Sequence, residues 1–340
     1  MRSHRVVGDD GRRPAGTCVS SDAVTPRDPT DQAGRLRALG RVAASLRCPV
    51  CAQTLALDDT SPFGARLLCG AGHTFDVARQ GYVNLVGGRT HAGTADTADM
   101  VAARDTFLRA GHLAPVRDAL AALAVRHAPA SSGVVVDVAG GTGHYLAGVL
   151  DALQQRDGVC LDLSPAALRR AARAHPRAAA VGADVWQGLP IGDSRAALLL
   201  NVFGPRNAAE FARVLRPDGV LLSVSPEPDH LGELVEPLGM VGVDPRKEQR
   251  LDEAFSAFAP IGHDTVRYQV SLGHEDVAAV VGMGPTASHT TSTVLAERIA
   301  TLPERQPVTV AVRIMVYGAG EQRRTTQPAV GSARDIQRRR

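Results

Sequence analysis

Lysine is all but missing from this chain: of 38 basic residues, Lys247 is the sole lysine. Its cationic surface is therefore arginine, whose planar guanidinium suits bidentate phosphate contacts and stacking on bases. The accompanying wealth of alanine points equally to a GC-rich coding sequence. A surplus of one charge is also lacking. The net charge is +3, which excludes binding of polyanions through bulk charge alone. No apolar run reaches the roughly eighteen residues of a membrane-spanning helix, so no membrane partner is expected. The opening residues, MRSHRVVGDDGRRPAG, lack the apolar core of a secretory signal. Five cysteines, three of them close together beside a histidine, fit metal binding in a reducing cytoplasm better than a disulfide framework.

What is present begins with those cysteines. Cys48, Cys51, Cys69 and His73 read C-x2-C-x17-C-x3-H. Two cysteines two apart sit on one tight turn, and the second pair completes a tetrahedron, the Cys3His pattern of structural Zn2+. A module of about forty residues rarely builds a sufficient core alone, so zinc binding would supply folding free energy.

With 340 residues and 44% hydrophobic content, the chain can hold two domains. Residues 1–43 and 319–340 are rich in Arg, Pro, Gly and Ser, and are expected to be disordered. Residues 44–86 form the zinc module. Residues 87–130 are a linker plus helices broken by Gly111 and Pro115. From 131 to 318 short apolar strands alternate with helical runs: VVVDV, VCLDL, AAAV, ALLLNVF and GVLLSVS, each followed by a helix or turn. That alternation predicts an α/β fold with a doubly wound, Rossmann-like sheet. The runs TVRYQVSL and VTVAVRIMVY alternate in the manner of edge strands. Cys160 falls inside a strand and reads as core, and Cys18 lies in the N-terminal extension.

The stretch DVAGGTGHYLA carries the cofactor chemistry. An apolar strand ends at Asp137, and Gly140, Gly141, Thr142 and Gly143 turn into a helix that opens with His144. Glycines let a ligand approach the backbone, at the carboxyl end of the first strand where such sheets bind nucleotides. The dinucleotide fingerprint fits poorly, because Leu146 occupies its third glycine position. The D-x-G-x-G-x-G loop of S-adenosylmethionine (SAM) enzymes fits better, with Ala139 in place of its first glycine. Asp162, closing the second strand, can accept from ribose hydroxyls. Asp184, after the third, can bond an adenine amino group. Asp162 also fits a helix-capping role, and Asp184 a turn.

These motifs, together with CGAGHTFDVARQGYVNL, TADMVAARDTFLRAGHLAP, ADVWQGLP, NVFGPRNAAEFARVLRPDG and SPEPDHLGEL, resemble the 23S rRNA (guanine-N1)-methyltransferases, in their tylosin-resistance branch. The resemblance runs from about Leu46 to Tyr317. It implies a zinc-binding RNA-recognition module on a class I SAM-dependent methyltransferase domain, acting on a guanosine in a domain II hairpin of 23S rRNA near the exit tunnel and contributing to macrolide resistance. It also admits a homodimer. By the same resemblance Cys48, Cys51, Cys69 and His73 hold zinc, while Asp137, Gly141, Gly143, Asp162 and Asp184 line the SAM site. Two positions depart from the family: Ala139, and Ser288 where a tryptophan is usual.

The acceptor base is expected beside the loop after the fourth strand. There Asn201 would hold a base edge, Phe203 would contact the flipped base, and Arg206 would meet O6 or phosphate, although strand-end packing accounts for Asn201 and Phe203 equally. His230, in SPEPDHLGEL, is the candidate proton acceptor. Arg47, Arg66, Arg79, Arg89, Arg104 and Arg109, with Phe63, Phe75 and Tyr82, make a basic and aromatic set for RNA; a zinc knob that merely braces the SAM domain is the plainer reading. Two other functions compete: a small-molecule methyltransferase, and an RNA-binding homologue whose SAM site has decayed.

Overall fold

The computed structural model describes residues 29–87, 95–240, 242, 253–284 and 292–320. The expectations for 1–28, Arg89, Ser288 and 321–340 lie outside the described residues.

A small antiparallel sheet comes first, formed by β1 (Leu55–Asp58), β2 (Arg66–Cys69) and β3 (Thr74–Asp76). The main sheet has eight strands: β4 (Tyr82–Asn84), β5 (Val134–Val138), β6 (Gly158–Asp162), β7 (Ala178–Gly182), β8 (Ala196–Val202), β9 (Leu215–Pro226), β10 (Ala259–Gly273) and β11 (Arg305–Gly318). Its order is β10-β11-β9-β8-β5-β6-β7-β4. Pairing is parallel from β4 across to β9 and antiparallel for β9/β11 and β11/β10. Strand order reverses between β5 and β8, which creates a switch point at the carboxyl ends of these strands. This is the doubly wound, Rossmann-like sheet expected from the strand–helix alternation. β5, β7 and β8 are buried at every position, as continuous Val, Ala and Leu runs require when both faces are covered.

On one face lie α2 (Ala98–Arg109), α3 (Ala114–His127), α4 (His144–Ala152), α5 (Pro165–Ala171), α7 (Gly232–Leu238), α8 (His274–Gly282) and α9 (Ser292–Ala300). On the other lie α1 (Pro29–Val42), the zinc module and α6 (Ala208–Val214). The α2–α3 break falls where expected, with Gly111 at φ +83°.

Two expectations change, and the zinc module proves continuous with the main sheet. The end of the supposedly disordered extension is helix α1: Ala38, Leu39 and Val42 are buried in one core with the module and sheet. Spacing of three and four residues puts them on one face, a stripe masked by the surrounding arginines. Those arginines also tie the helix down, Arg41 donating to Asp157 at 2.6 Å and to the Pro176 carbonyl at 2.9 Å. The run VTVAVRIMVY is not an edge strand. It forms β11, inserted between β9 and β10, with Val308, Val310, Val312, Ile314 and Val316 fully buried. Only β10 of that pair is at the edge. Finally, the zinc module is not a separate body. β4 pairs in parallel with β7, and Leu46, Leu55, Leu67, Val83 and Leu85 share a core with Val136, Val159 and Val181.

Candidate functional site

The metal ligands converge as their spacing requires. The ligand atoms of Cys48, Cys51, Cys69 and His73 all lie within 4.8 Å of one another. Cys51 Sγ is 3.6 Å from Cys69 Sγ, and His73 Nδ1 is 3.6 Å from Cys48 Sγ and 3.4 Å from Cys69 Sγ. A tetrahedral Zn2+ with bonds of about 2.3 Å to sulfur places sulfurs roughly 3.8 Å apart, so the donor set fits zinc. Backbone turns build it. Ala52 at φ +59° and Gly72 at φ +85° close the two knuckles, and the Val50 N–H points at Cys48 Sγ from 3.4 Å. Burial pulls the Cys69 thiol up, but hydrogen bonds from the His73 backbone, Cys51 and Ala71 outweigh it and bring it down to about 6.

A cavity of about 630 Å3 opens at the switch point. Its floor is the turn after β5. Gly140 is needed there for space: a Cβ on it would lie 2.7 Å from both the Asp137 carboxylate and Cys160 Sγ. Gly141, at φ +57°, is needed for its backbone. Ala139 takes a left-handed φ of +55°, a conformation that disfavours any side chain. Gly143, at φ +78°, does not line the cavity; a Cβ there would press to 3.0 Å from Ala174 in the α4–α5 packing.

The carboxylates are arranged around this floor. Asp137 is fully buried, and no hydrogen bond of ordinary geometry reaches either of its oxygens. Burial, then the nearby Asp162 charge, pushes it up to about 8, which the weak pull of the Leu146 N–H offsets only slightly. Asp162 accepts from Gly141 N and Ser164 N, each at 2.8 Å, and burial raises it too. Asp184 accepts from Trp186 N at 2.9 Å and Gln187 Nε2 at 3.0 Å. Thus Asp162 and Asp184 fill the capping and turn roles and line the cavity as well. The His144 Nε2 and Tyr145 hydroxyl are also buried without partners in this lining, and burial, then the Arg117 charge, lowers the pKa of the His144 ring.

These unpartnered groups fit SAM. An enclosed anion such as Asp137 is costly unless a cation meets it, and SAM brings a sulfonium and an ammonium. The ribose and adenine would lie along Asp162, Asp184 and the buried Val185.

At the other end of the cavity is the loop after β8. Phe203 is 41% exposed, holds φ +55°, and stacks on His230 with centroids 6.1 Å apart. His230 Nδ1 accepts from Ala311 N at 3.2 Å, so the neutral ring carries its proton on Nε2. Asn201 does not line the cavity. It is buried, its Nδ2 donating to the Pro205 carbonyl at 3.0 Å, and it holds the loop beneath Phe203. Arg206 is also outside the lining, with its Nε buried and unpartnered.

Among the lining residues that went unrecognised in the sequence, two carry distinctive chemistry. Trp186, the chain's one tryptophan, is 63% exposed at the rim. A lone tryptophan two residues past Asp184 was the available signal. Arg104, grouped with the RNA-facing arginines, points instead into this cavity.

Comparison with known proteins places these features in context. A family model described as RlmA, N-terminal, a zinc ribbon, matches residues 46–88. The chain is 49% identical over 273 residues to the 23S rRNA (guanine(748)-N(1))-methyltransferase of Streptomyces fradiae, covering 80% of this chain and 95% of that one. It is 50% identical over 287 residues to a Micromonospora griseorubida protein provisionally named a 23S rRNA (guanine-N(1)-)-methyltransferase, covering 80% and 96%. A Bacillus subtilis protein provisionally given the same name, YxjB, is 33% identical over 195 residues, covering 55% and 66%.

Proposed function

The chain belongs to the 23S rRNA (guanine-N1)-methyltransferase family, and on that premise we propose that it methylates N1 of the guanosine equivalent to position 748 in a domain II hairpin of 23S rRNA. The observation that carries this reading is the 49% identity over 80% of this chain and 95% of the Streptomyces fradiae enzyme, in a chain that holds both the Cys3His cluster and the glycine turn. Macrolide resistance, action in the cytoplasm and a homodimeric state belong to the same proposal. Among the described residues no helix is long and apolar enough to cross a membrane.

SAM, when bound, supplies an electrophilic methyl group on a sulfonium. The chain's own residues do the rest by positioning. Asp137 offers a buried negative charge to the donor's cationic end. Asp162 holds the glycine turn through Gly141 N and keeps lone pairs for hydroxyl donors. Asn201 fixes the loop that presents Phe203, whose exposed face receives a flipped guanine. With Nδ1 engaged by Ala311, His230 would polarise the base by directing its Nε2 proton toward O6, and the N1 proton would pass to solvent water as the methyl group is taken up and the neutral thioether leaves. The zinc module, continuous with the sheet core, presents Arg66, Phe63 and Tyr82 toward RNA.

The test is methyl transfer from labelled SAM to a synthetic domain II hairpin, followed by nucleoside analysis. N1-methylguanosine in the product supports the reading; transfer to another nucleoside, or to none while SAM binds, refutes it.

A further inference from the structure

We propose that Arg104 anchors the carboxylate of the methyl donor's methionine end, a role that rests on the reading of this cavity as the SAM site. The charge inventory of the cavity motivates it. Asp96, Asp137, Asp162 and Asp184 line it, and Arg104 is the single permanently charged cation among its described lining residues. SAM carries three charges: a sulfonium, an ammonium and a carboxylate. Asp137, at the donor's cationic end, answers the first two. The carboxylate, in a pocket otherwise negative, needs a cation, and only one is supplied.

Placement makes Arg104 suitable. It lies on α2 and overhangs the glycine turn: a Cβ built on Gly141 would lie 3.6 Å from its Nη1 and 3.7 Å from its Cδ. The guanidinium is held rather than loose. Nη1 pairs with Asp96, and Nη2 donates to the Met283 carbonyl at 3.0 Å, just past α8. Two partners leave part of its five-donor fork for a ligand, and bidentate capture of a carboxylate is what that fork does best. Its side chain is 27% exposed, enclosed by α2 and the turn after α8, which suits a small ligand inside the cavity better than a phosphate on the outer surface. Asp96 keeps the guanidinium aimed and compensated until the ligand arrives.

The experiment measures dissociation constants by calorimetry for SAM and for an analogue whose α-carboxylate is replaced by hydrogen, in the zinc-loaded wild type and in Arg104→Gln. The wild type should prefer SAM by about 10- to 100-fold, the range of a charge-assisted pair, and Arg104→Gln should erase that preference while binding the analogue as the wild type does. Arg104→Lys, which keeps charge but loses the fork, should show an intermediate preference, and it decides the matter if the glutamine variant does not fold. Equal weakening of both ligands would reduce Arg104 to a packing role and overturn the proposal. So would an unchanged preference accompanied by weaker, more salt-sensitive hairpin binding, which would make Arg104 a phosphate contact. Failure of SAM itself to bind the wild type would refute the SAM site and the anchor with it, whereas SAM binding with no preference refutes the anchor alone.

Discussion

Replacing Asp137 with asparagine removes one titrating proton from the centre of the cavity and should be visible in stability before any catalysis is measured. The carboxyl moves from an ordinary 3.8 to about 8 on folding. Between those values the folded chain keeps a proton that the unfolded chain has shed. Stability contributed by this group is therefore greatest near pH 4 and is lost as pH rises toward 8. Each pH unit in that window is worth at most about 1.4 kcal/mol, so from pH 5 to pH 8 the wild type should lose about 2–4 kcal/mol more than Asp137→Asn. Constant costs of the substitution, such as an unpartnered amide, cancel because only the pH dependence is compared. The assay is urea unfolding of both zinc-loaded proteins at pH 5, 6, 7 and 8. Parallel stability profiles would refute the reasoning. The same proton has a second readout. Because a bound cation favours the carboxylate, SAM binding near pH 7 should release close to one proton from the wild type, seen as buffer-dependent heat, and none from the variant.

Ala139→Gly relieves a left-handed backbone at φ +55° and should stabilise the fold by about 1 kcal/mol, read as a higher urea midpoint; a loss of stability would show that the alanine methyl packs usefully against the turn. Cys51→Ser removes a zinc ligand and should abolish stoichiometric zinc while also lowering the melting temperature of the whole chain, since the module shares its core with the sheet. Retention of one zinc per chain would contradict the ligand set. Phe203→Ala removes the exposed ring at the cavity mouth, where stacking on a base is worth about 1–3 kcal/mol, so kcat/KM for RNA should fall roughly 5- to 150-fold with the SAM dissociation constant unchanged. A change in SAM affinity alone would move Phe203 to the donor side.

Features set by local spacing were legible in the sequence. Two cysteines on one turn can only point together, and the apolar runs of β5 to β9 announce strands buried on both faces. The glycine turn showed its location but not the division of labour within it. Gly140 is required by what lies opposite it, the Asp137 carboxylate and Cys160, whereas Gly143 holds φ +78° and faces Ala174. Features set by distant pairing stayed hidden. Whether β11 is central or at the edge depends on β9 and β10 flanking it. Arg104 reaches the cavity because α2 packs on α8, some 170 residues later in sequence. Helix α1 was obscured for another reason: arginines that read as a solvated tail are spent on the Pro176 carbonyl, Asp157 and the Gln80 carbonyl. Asn201 and His230 were both found as residues, but their roles turned on Pro205 and Ala311, partners that no spacing reveals.

The most direct measurement is primer extension on unmodified 23S rRNA incubated with SAM and the zinc-loaded protein. N1-methylguanine blocks Watson–Crick pairing, so a new SAM-dependent stop beside the guanosine equivalent to position 748 is the expected result. A stop at a different nucleotide, or full-length extension by a protein that binds SAM with one zinc in place, would contradict the assignment.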